Sequence, residues 1–423
     1  MLKNVLQKFN NILKISNNKD YPLALCDQIL VSGSNFFLGI VILRFLGAET
    51  FGLFSFLWLL VLLFNSLQLA LIINPLLSIS PKYTGENKLI YLSSSIILQL
   101  ILSFIFVIFI YIFLKFLNNY FSDYDVSGLE LNIVLLVFFQ QNQNFLKRLY
   151  FSTSQYLKAF YQTIITIITL YITLTIFIIF NYLNLNNLLF SILIANFIGC
   201  IYGFQFSIVN KINFKNLIQT SQENWKISKW LTLTSLTQWF GQNLWQINGA
   251  LYLGPYMFGV YRACFNIANV MSTIFQSFDN YIPLQVTKVF KEKGRKFMDI
   301  YLKKFTLLTL SISFGLFLSI LIFSKYILLI TYGINFREFY YILNLVTLTA
   351  LIASLQSPFI YRMRTIGNTK PIFYSYLITL ICSILFSKLI ISTWGIFGLV
   401  YGVMITQLII TVYMFYNFKI SKL

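Results

Sequence analysis

The sequence predicts an all-α integral membrane protein of about twelve transmembrane helices, in two six-helix lobes related as parallel pseudo-two-fold repeats around a central cavity. Three observations predict it. Of 423 residues, 58% are hydrophobic and only 10% charged, with a mean hydropathy of +0.76, far more apolar than a water-soluble fold can keep inside. Apolar runs of spanning length recur from residue 21 to the end, and a helix needs roughly 20 such residues to cross about 30 Å of hydrocarbon. A short glycine-containing pattern also occurs twice, once in each half of the chain.

Spans are expected near residues 23–44, 53–77, 89–114, 130–149, 159–181, 188–209, 230–251, 257–282, 305–329, 339–360, 372–392 and 396–417. A transmembrane barrel would alternate polar and apolar residues over strands of about ten residues. The continuous apolar runs favour helices, which satisfy every backbone group internally. Ahead of the first span, Lys3, Lys8, Lys14 and Lys19 interleave with Leu2, Leu6, Phe9, Ile12 and Leu13. That spacing predicts an amphipathic helix over residues 1–20, lying on the cytoplasmic membrane surface and not cleaved as a signal. The N-terminal lobe is expected over 21–210, a polar cytoplasmic connector over 211–229, and the C-terminal lobe over 230–423.

Lysine and arginine set the orientation. With the N-terminus inside, 25 of the 31 cations fall on the cytoplasmic side, which leaves Arg44, Lys115, Arg262, Lys325, Arg337 and Lys388 elsewhere. The positive-inside rule then places both termini in the cytoplasm. The net charge of +19 is thus a topology signal, scattered over short loops, and not a nucleic-acid-binding face. Cys26, Cys200, Cys264 and Cys382 all fall in expected spans without paired spacing, and there is no histidine. Disulfides, metal sites and bound cofactors are therefore not expected.

Residues 44–52 read RFLGAETFG and residues 251–259 read LYLGPYMFG. Leu46, Gly47, Phe51 and Gly52 correspond to Leu253, Gly254, Phe258 and Gly259 at an offset of 254 − 47 = 207. Asn74-Pro75-Leu76 meets Ile282-Pro283-Leu284 one residue further on, as a duplicated sequence would. An even number of spans per half makes the repeats parallel. A plainer reading is that such glycine pairs mark interfacial turns.

Polar residues inside the spans are the candidate functional groups, because lipid cannot satisfy them. In the first span Asp27, Gln28, Ser34 and Asn35 fall seven apart in pairs, on one helical face. The seventh carries Ser235, Gln238, Gln242 and Gln246. Gln28 maps to Ser235, and Asn35 to Gln242, at the same offset. Two readings stay open for these stripes: the wall of a hydrophilic cavity between the lobes, or hydrogen bonding within each bundle. The run Gln140 to Asn144 is read as bordering the cytoplasmic mouth of that cavity. Trp239, mid-span, offers a flat face to a sugar ring. Arg262 has no acidic neighbour in sequence and is the first candidate for an anionic ligand, against the alternative that it snorkels to the outer interface. Asp27 is the candidate for a coupling proton or cation, or else a helix-start residue at the interface.

Residues 27–56, DQILVSGSNFFLGIVILRFLGAETFGLFSF, resemble the start of the polysaccharide-unit (O-antigen type) flippases of the multidrug/oligosaccharidyl-lipid/polysaccharide exporter superfamily. Tyr261-Arg262 followed by Pro283, and the Gly367-Asn368-Thr369-Lys370 turn, extend the resemblance into the second half. Length and span count carry it over nearly the whole chain. The resemblance implies two lobes around an often cationic cavity that opens alternately inward and outward. It implies that an oligosaccharide linked to polyprenyl pyrophosphate moves from the cytoplasmic to the outer leaflet of a bacterial cytoplasmic (inner) membrane. Its partners would be the lipid-linked oligosaccharide, membrane lipids and, if transport is coupled, protons or sodium. The pyrophosphate would give Arg262 a role, and the glycan would give one to Gln28, Asn35, Gln238 and Gln242. Phe54 and Ser55 stand in the first half where the second has Tyr261 and Arg262, so cavity charge is sparse. The first rival is a drug or small-molecule cation antiporter of the same superfamily. An enzyme, such as a membrane glycosyltransferase or a glycan polymerase, needs a sizeable outer loop with catalytic acids or arginines. The longest outer connector here is roughly Leu117 to Glu130, so a transporter and not an enzyme is expected.

Overall fold

A computed structural model describes residues 20–120, 124, 126–204, 213–279 and 282–420, and among them it contains helices and turns without a strand. The chain runs through α1 (Asp20–Gln68), a π turn (Leu69–Ile73), α2 (Asn74–Ile79), a 3-10 turn (Ser80–Lys82), α3 (Gly85–Tyr120), α4 (Glu130–Ser152), α5 (Tyr156–Ile179) and α6 (Leu185–Gly203). It continues through α7 (Phe214–Asp279), α8 (Ile282–Tyr332), a 3-10 turn (Ile334–Phe339), α9 (Tyr340–Ser354), α10 (Ser357–Ile366) and α11 (Lys370–Ile420). Nearly all of the expected surface helix, and Asp123 and Asp125 of the outer connector, lie outside the described residues.

Seven described stretches are long and apolar enough to cross a membrane, against twelve expected spans. The difference has a physical origin. Cys26–Lys82 and Lys370–Phe418 each hold two expected spans in one continuous helical stretch. The expected spans of α4 and α7 are diluted by amides and by Arg262.

The long helices are broken by glycine. Gly47 in α1 has φ 82° and ψ 177°, and Gly254 in α7 has φ 75° and ψ 170°, a region essentially closed to residues with a Cβ. The two breaks thus occur at equivalent positions of the repeated pattern. Gly294 in α8 and Gly395 in α11 break their helices in the same left-handed half of conformational space. Around Gly395 the chain folds back, since a Cβ on Gly398 would overlap the Ile390 carbonyl. The second glycine of the pattern serves close packing. A Cβ on Gly52 would overlap the Pro255 carbonyl, and one on Gly259 would overlap the Ala48 carbonyl. Because 255 − 48 = 207 as well, the contact is reciprocal between the two copies of the pattern.

Two compact units result. The first comprises Met1–Asn35, Gln68–Lys115 and Ser127–Lys229, and the second Phe36–Leu67, Phe116–Val126 and Trp230–Leu423. This division cuts across the expected sequence lobes. Segments 36–67 and 116–126 join the second unit through specific contacts: the glycine pair, the Tyr124 hydroxyl donating to the Ala250 carbonyl at 2.7 Å, and Arg44. The Arg44 guanidinium donates to the carbonyls of Thr331, at 2.7 Å, and Ile330. It thereby caps the negative end of α8.

In the first unit α6 packs on α4 and α5, where Gly199 and Gly203 admit the side chains of Thr166, Gln143, Gln162 and Leu146. An apolar cluster including Leu76, Tyr91, Phe145 and Leu149 closes the same core. The polar start of α7 docks here. The Tyr83 hydroxyl donates to the Glu223 carboxylate at 2.9 Å, and the Tyr91 hydroxyl donates to Asn224 at 2.8 Å. The hydrogen bond to Glu223 raises the Tyr83 phenol above its ordinary pKa. In the second unit the middle of α7 lies on α11. Gly241 seats against Tyr376 and Thr379, Gly402 against Trp245, and the Ser383 hydroxyl donates to the Gly241 carbonyl at 3.2 Å. Val286, Met298, Leu302, Phe305 and Tyr361 join α8 to α10.

Candidate functional site

Charged groups within the membrane helices form separate clusters. In the first unit Asp27 of α1 is only 4% exposed. The Lys147 ammonium, from α4, lies 2.6 Å from its Oδ2, and the Thr163 hydroxyl, from α5, donates to its Oδ1 at 2.5 Å. Both carboxylate oxygens are therefore engaged by neighbouring helices, as burial of a charge requires. The amides of α4 belong to the same unit. Gln140, Gln141, Asn142 and Gln143 are buried and Asn144 is half-buried, so most of the run packs inside the first unit. The Gln68 amide donates to the Gln141 carbonyl at 2.6 Å, and the Gln162 amide to the Gly199 carbonyl at 3.0 Å. Further along α1 the Tyr171 hydroxyl donates to the Ser34 carbonyl at 2.7 Å and accepts from the Ser34 hydroxyl. Gln28 is half-buried and bonded to Ser32, while Asn35 is exposed.

In the second unit the break at Gly254 brings together residues eight before and eight after it. Arg262 Nη1 donates to Gln246 Oε1 at 2.9 Å. Its guanidinium lies 5.1 Å from the centre of the Phe265 ring, close enough for cation–π attraction. Among the described residues no carboxylate pairs with Arg262, and its Nε is buried without a partner. Arg262 therefore turns back toward the part of α7 that precedes the Gly254 break, and among the described residues no acid neutralises its charge. Gln246 is 6% exposed and ends the stripe that begins at Ser235. Gln238 and Gln242, on the same stripe, are half-buried. Trp239 is 7% exposed, edge-on to Phe240, with its indole N–H unpartnered.

The expected site residues thus divide, with Asp27, Gln28 and Asn35 in the first unit and Gln238, Trp239, Gln242 and Arg262 in the second. Two charged partners escaped sequence reasoning. Lys147 reads as a loop cation, yet it lies on the α4 face that also carries Gln140 and Gln143, at spacings of seven and four. Arg362 reads the same way, but it is 1% exposed and bonded through Nε to Asp299 Oδ1 at 2.7 Å.

A family model described as polysaccharide biosynthesis protein matches residues 41–340. No curated protein matches the sequence. Among solved structures, the chain resembles a lipid II flippase MurJ in an inward closed conformation, with a TM-score of 0.74 and 16% identity over 95% of this chain and 87% of that one. An inward-facing multidrug resistance MATE family transporter of the MOP superfamily gives a TM-score of 0.72 at 13% identity, covering 93% of this chain and 95% of that one. An outward-facing MATE family transporter gives 0.64 at 12% identity, covering 96% of each chain. At these identities the likeness establishes the fold, that of the transporters of the MOP superfamily.

Proposed function

The chain belongs to the polysaccharide biosynthesis protein family, and we propose that it is a flippase carrying an oligosaccharide linked to polyprenyl pyrophosphate from the cytoplasmic to the outer leaflet by alternating access. The product would serve surface polysaccharide export. The observation that carries this reading is Arg262, a guanidinium within a membrane helix, bonded to an amide and with Nε unpartnered. A pyrophosphate supplies acceptor oxygens that match the guanidinium fork. Gln238 and Gln242 offer amides to glycan hydroxyls, and Trp239 borders them. The polyprenyl tail stays in lipid while the polar head, which faces a desolvation barrier of several kcal/mol per unsatisfied group, is carried by protein. Asp27 is the coupling candidate, because protonating its carboxylate would release Lys147. The cation distribution supports both termini in the cytoplasm, and the resemblance to the flippases implies a bacterial inner membrane.

A second reading, a drug or small-molecule cation antiporter, is favoured by the fold shared with multidrug transporters and by the buried Asp27 carboxylate. An unneutralised Arg262 argues against a cationic cargo. Leaflet transfer of a fluorescent oligosaccharide on polyprenyl pyrophosphate, in vesicles holding the purified protein, separates the two. The flippase reading expects transfer by the wild type, and a large loss in Arg262→Ala at unchanged membrane abundance. Normal transfer by Arg262→Ala removes that residue from the site. Cation uptake without lipid transfer overturns the flippase reading in favour of the antiporter.

A further inference from the structure

Outside these clusters, the second unit holds a cavity of about 800 Å³ between α8, α10 and the end of α11, lined by residues including Arg295, Lys296, Lys303, Leu307, Phe415 and Phe418. It lies within the size range of small-molecule sites. Its character changes from one side to the other. Arg295 and Lys296 follow the Gly294 break, and Lys303 is seven residues beyond Lys296 on the same face. All three are exposed, and among the described residues none of them pairs with an acid. The acids close by in sequence are already used. Glu292 lies 3.9 Å from Lys288, and Asp299, which also lines the cavity, is held by buried Arg362. Arg362 in turn stacks over the Phe418 ring at 4.6 Å, which fixes that wall. Beyond the cations the lining turns apolar, with Leu307 and Phe415 exposed toward the side of the helices.

We infer that this cavity binds one anionic phospholipid of the adjoining leaflet, its phosphate held by Arg295, Lys296 and Lys303 and an acyl chain laid along Leu307 and Phe415. Basic pockets at the ends of membrane helices recognise lipid headgroups in this way. The joined apolar wall is what a free phosphate would not need. By the distribution of lysine and arginine the leaflet is the cytoplasmic one. The assignment does not depend on what Arg262 binds.

Lipid retained by the full-length protein, purified from vesicles of equal phosphatidylglycerol and phosphatidylcholine, tests it by native mass spectrometry. The wild type should keep one phosphatidylglycerol more than the triple variant R295Q/K296Q/K303Q, and should keep it at least several-fold in preference to phosphatidylcholine. Removing as much charge elsewhere, at Lys288, Lys291 and Lys293, should leave that lipid in place. Should the triple variant fail to accumulate, the wild type decides alone, because retention must fall as added salt screens the headgroup. Equal retention by the triple variant, or salt-insensitive retention, overturns the assignment. Displacement by millimolar inorganic phosphate would make the cavity a free-anion site. Displacement by polyprenyl monophosphate at equal mole fraction would make it a substrate entry point.

Discussion

The two units hold membrane-embedded charge in opposite ways. In the first, Asp27 is neutralised by Lys147 and further bonded by Thr163, so three helices share one closed network. In the second, Arg262 has, among the described residues, a neutral amide and an aromatic ring and no acid. A paired buried charge holds helices together and is expensive to disrupt from one side. An unneutralised one contributes little to the fold and, on the function proposed above, is what an anionic headgroup would meet. On the proposed function, the difference separates a structural or switching role from a binding role, and it can be attacked from both ends.

The largest effect should come from Asp27→Ala. It strands the Lys147 ammonium, at a cost of about 3–5 kcal/mol, and membrane abundance and thermal stability should fall sharply. Adding Lys147→Met should recover most of the loss. If Asp27→Ala is as stable as the wild type, the network is not closed and the contrast collapses. Arg262→Ala should do the reverse. Losing a hydrogen bond to a charged ligand, about 1.5–3 kcal/mol, should reduce lipid transfer by roughly ten- to a hundredfold, with the unfolding temperature nearly unchanged. Thr163→Val keeps the ion pair but deletes one donor to the carboxylate. It should destabilise by about 1.5 kcal/mol, and an effect as large as that of Asp27→Ala would mean that the hydroxyl, not the ammonium, closes the site. Smallest of all, Tyr83→Phe removes a half-buried hydrogen bond to Glu223 that is worth about 1 kcal/mol or less. Proteolysis at the start of α7 should quicken while stability elsewhere holds.

The sequence carried the coarse fold because its signals are local. Leu46-Gly47 and Leu253-Gly254 mark two of the four glycine breaks among the described residues, and the apolar runs mark the spans. Arg262 stood out for the same reason, as a charge inside an apolar run. Partnerships were illegible because they are remote. Thr163 is 136 residues from Asp27, and Arg362 is 63 from Asp299. Hydropathy places a lysine near a span end without saying whether its ammonium points out to water or inward to a carboxylate. The amides of α4 misled for a related reason, since a polar stripe facing protein and one facing water look alike along the chain.

A methyl group on Gly52 would meet the Pro255 carbonyl of the other copy of the pattern, and one on Gly259 would meet the Ala48 carbonyl. Two copies of one peptide meeting about an axis would make such a contact, the glycine of each meeting the residue four positions before the glycine of the other. Joined in one polypeptide, that position becomes two, and a methyl gained by either is opposed by main-chain atoms that cannot move aside. Neither glycine can therefore be varied on its own, and an alanine at one should be as poorly tolerated as an alanine at the other.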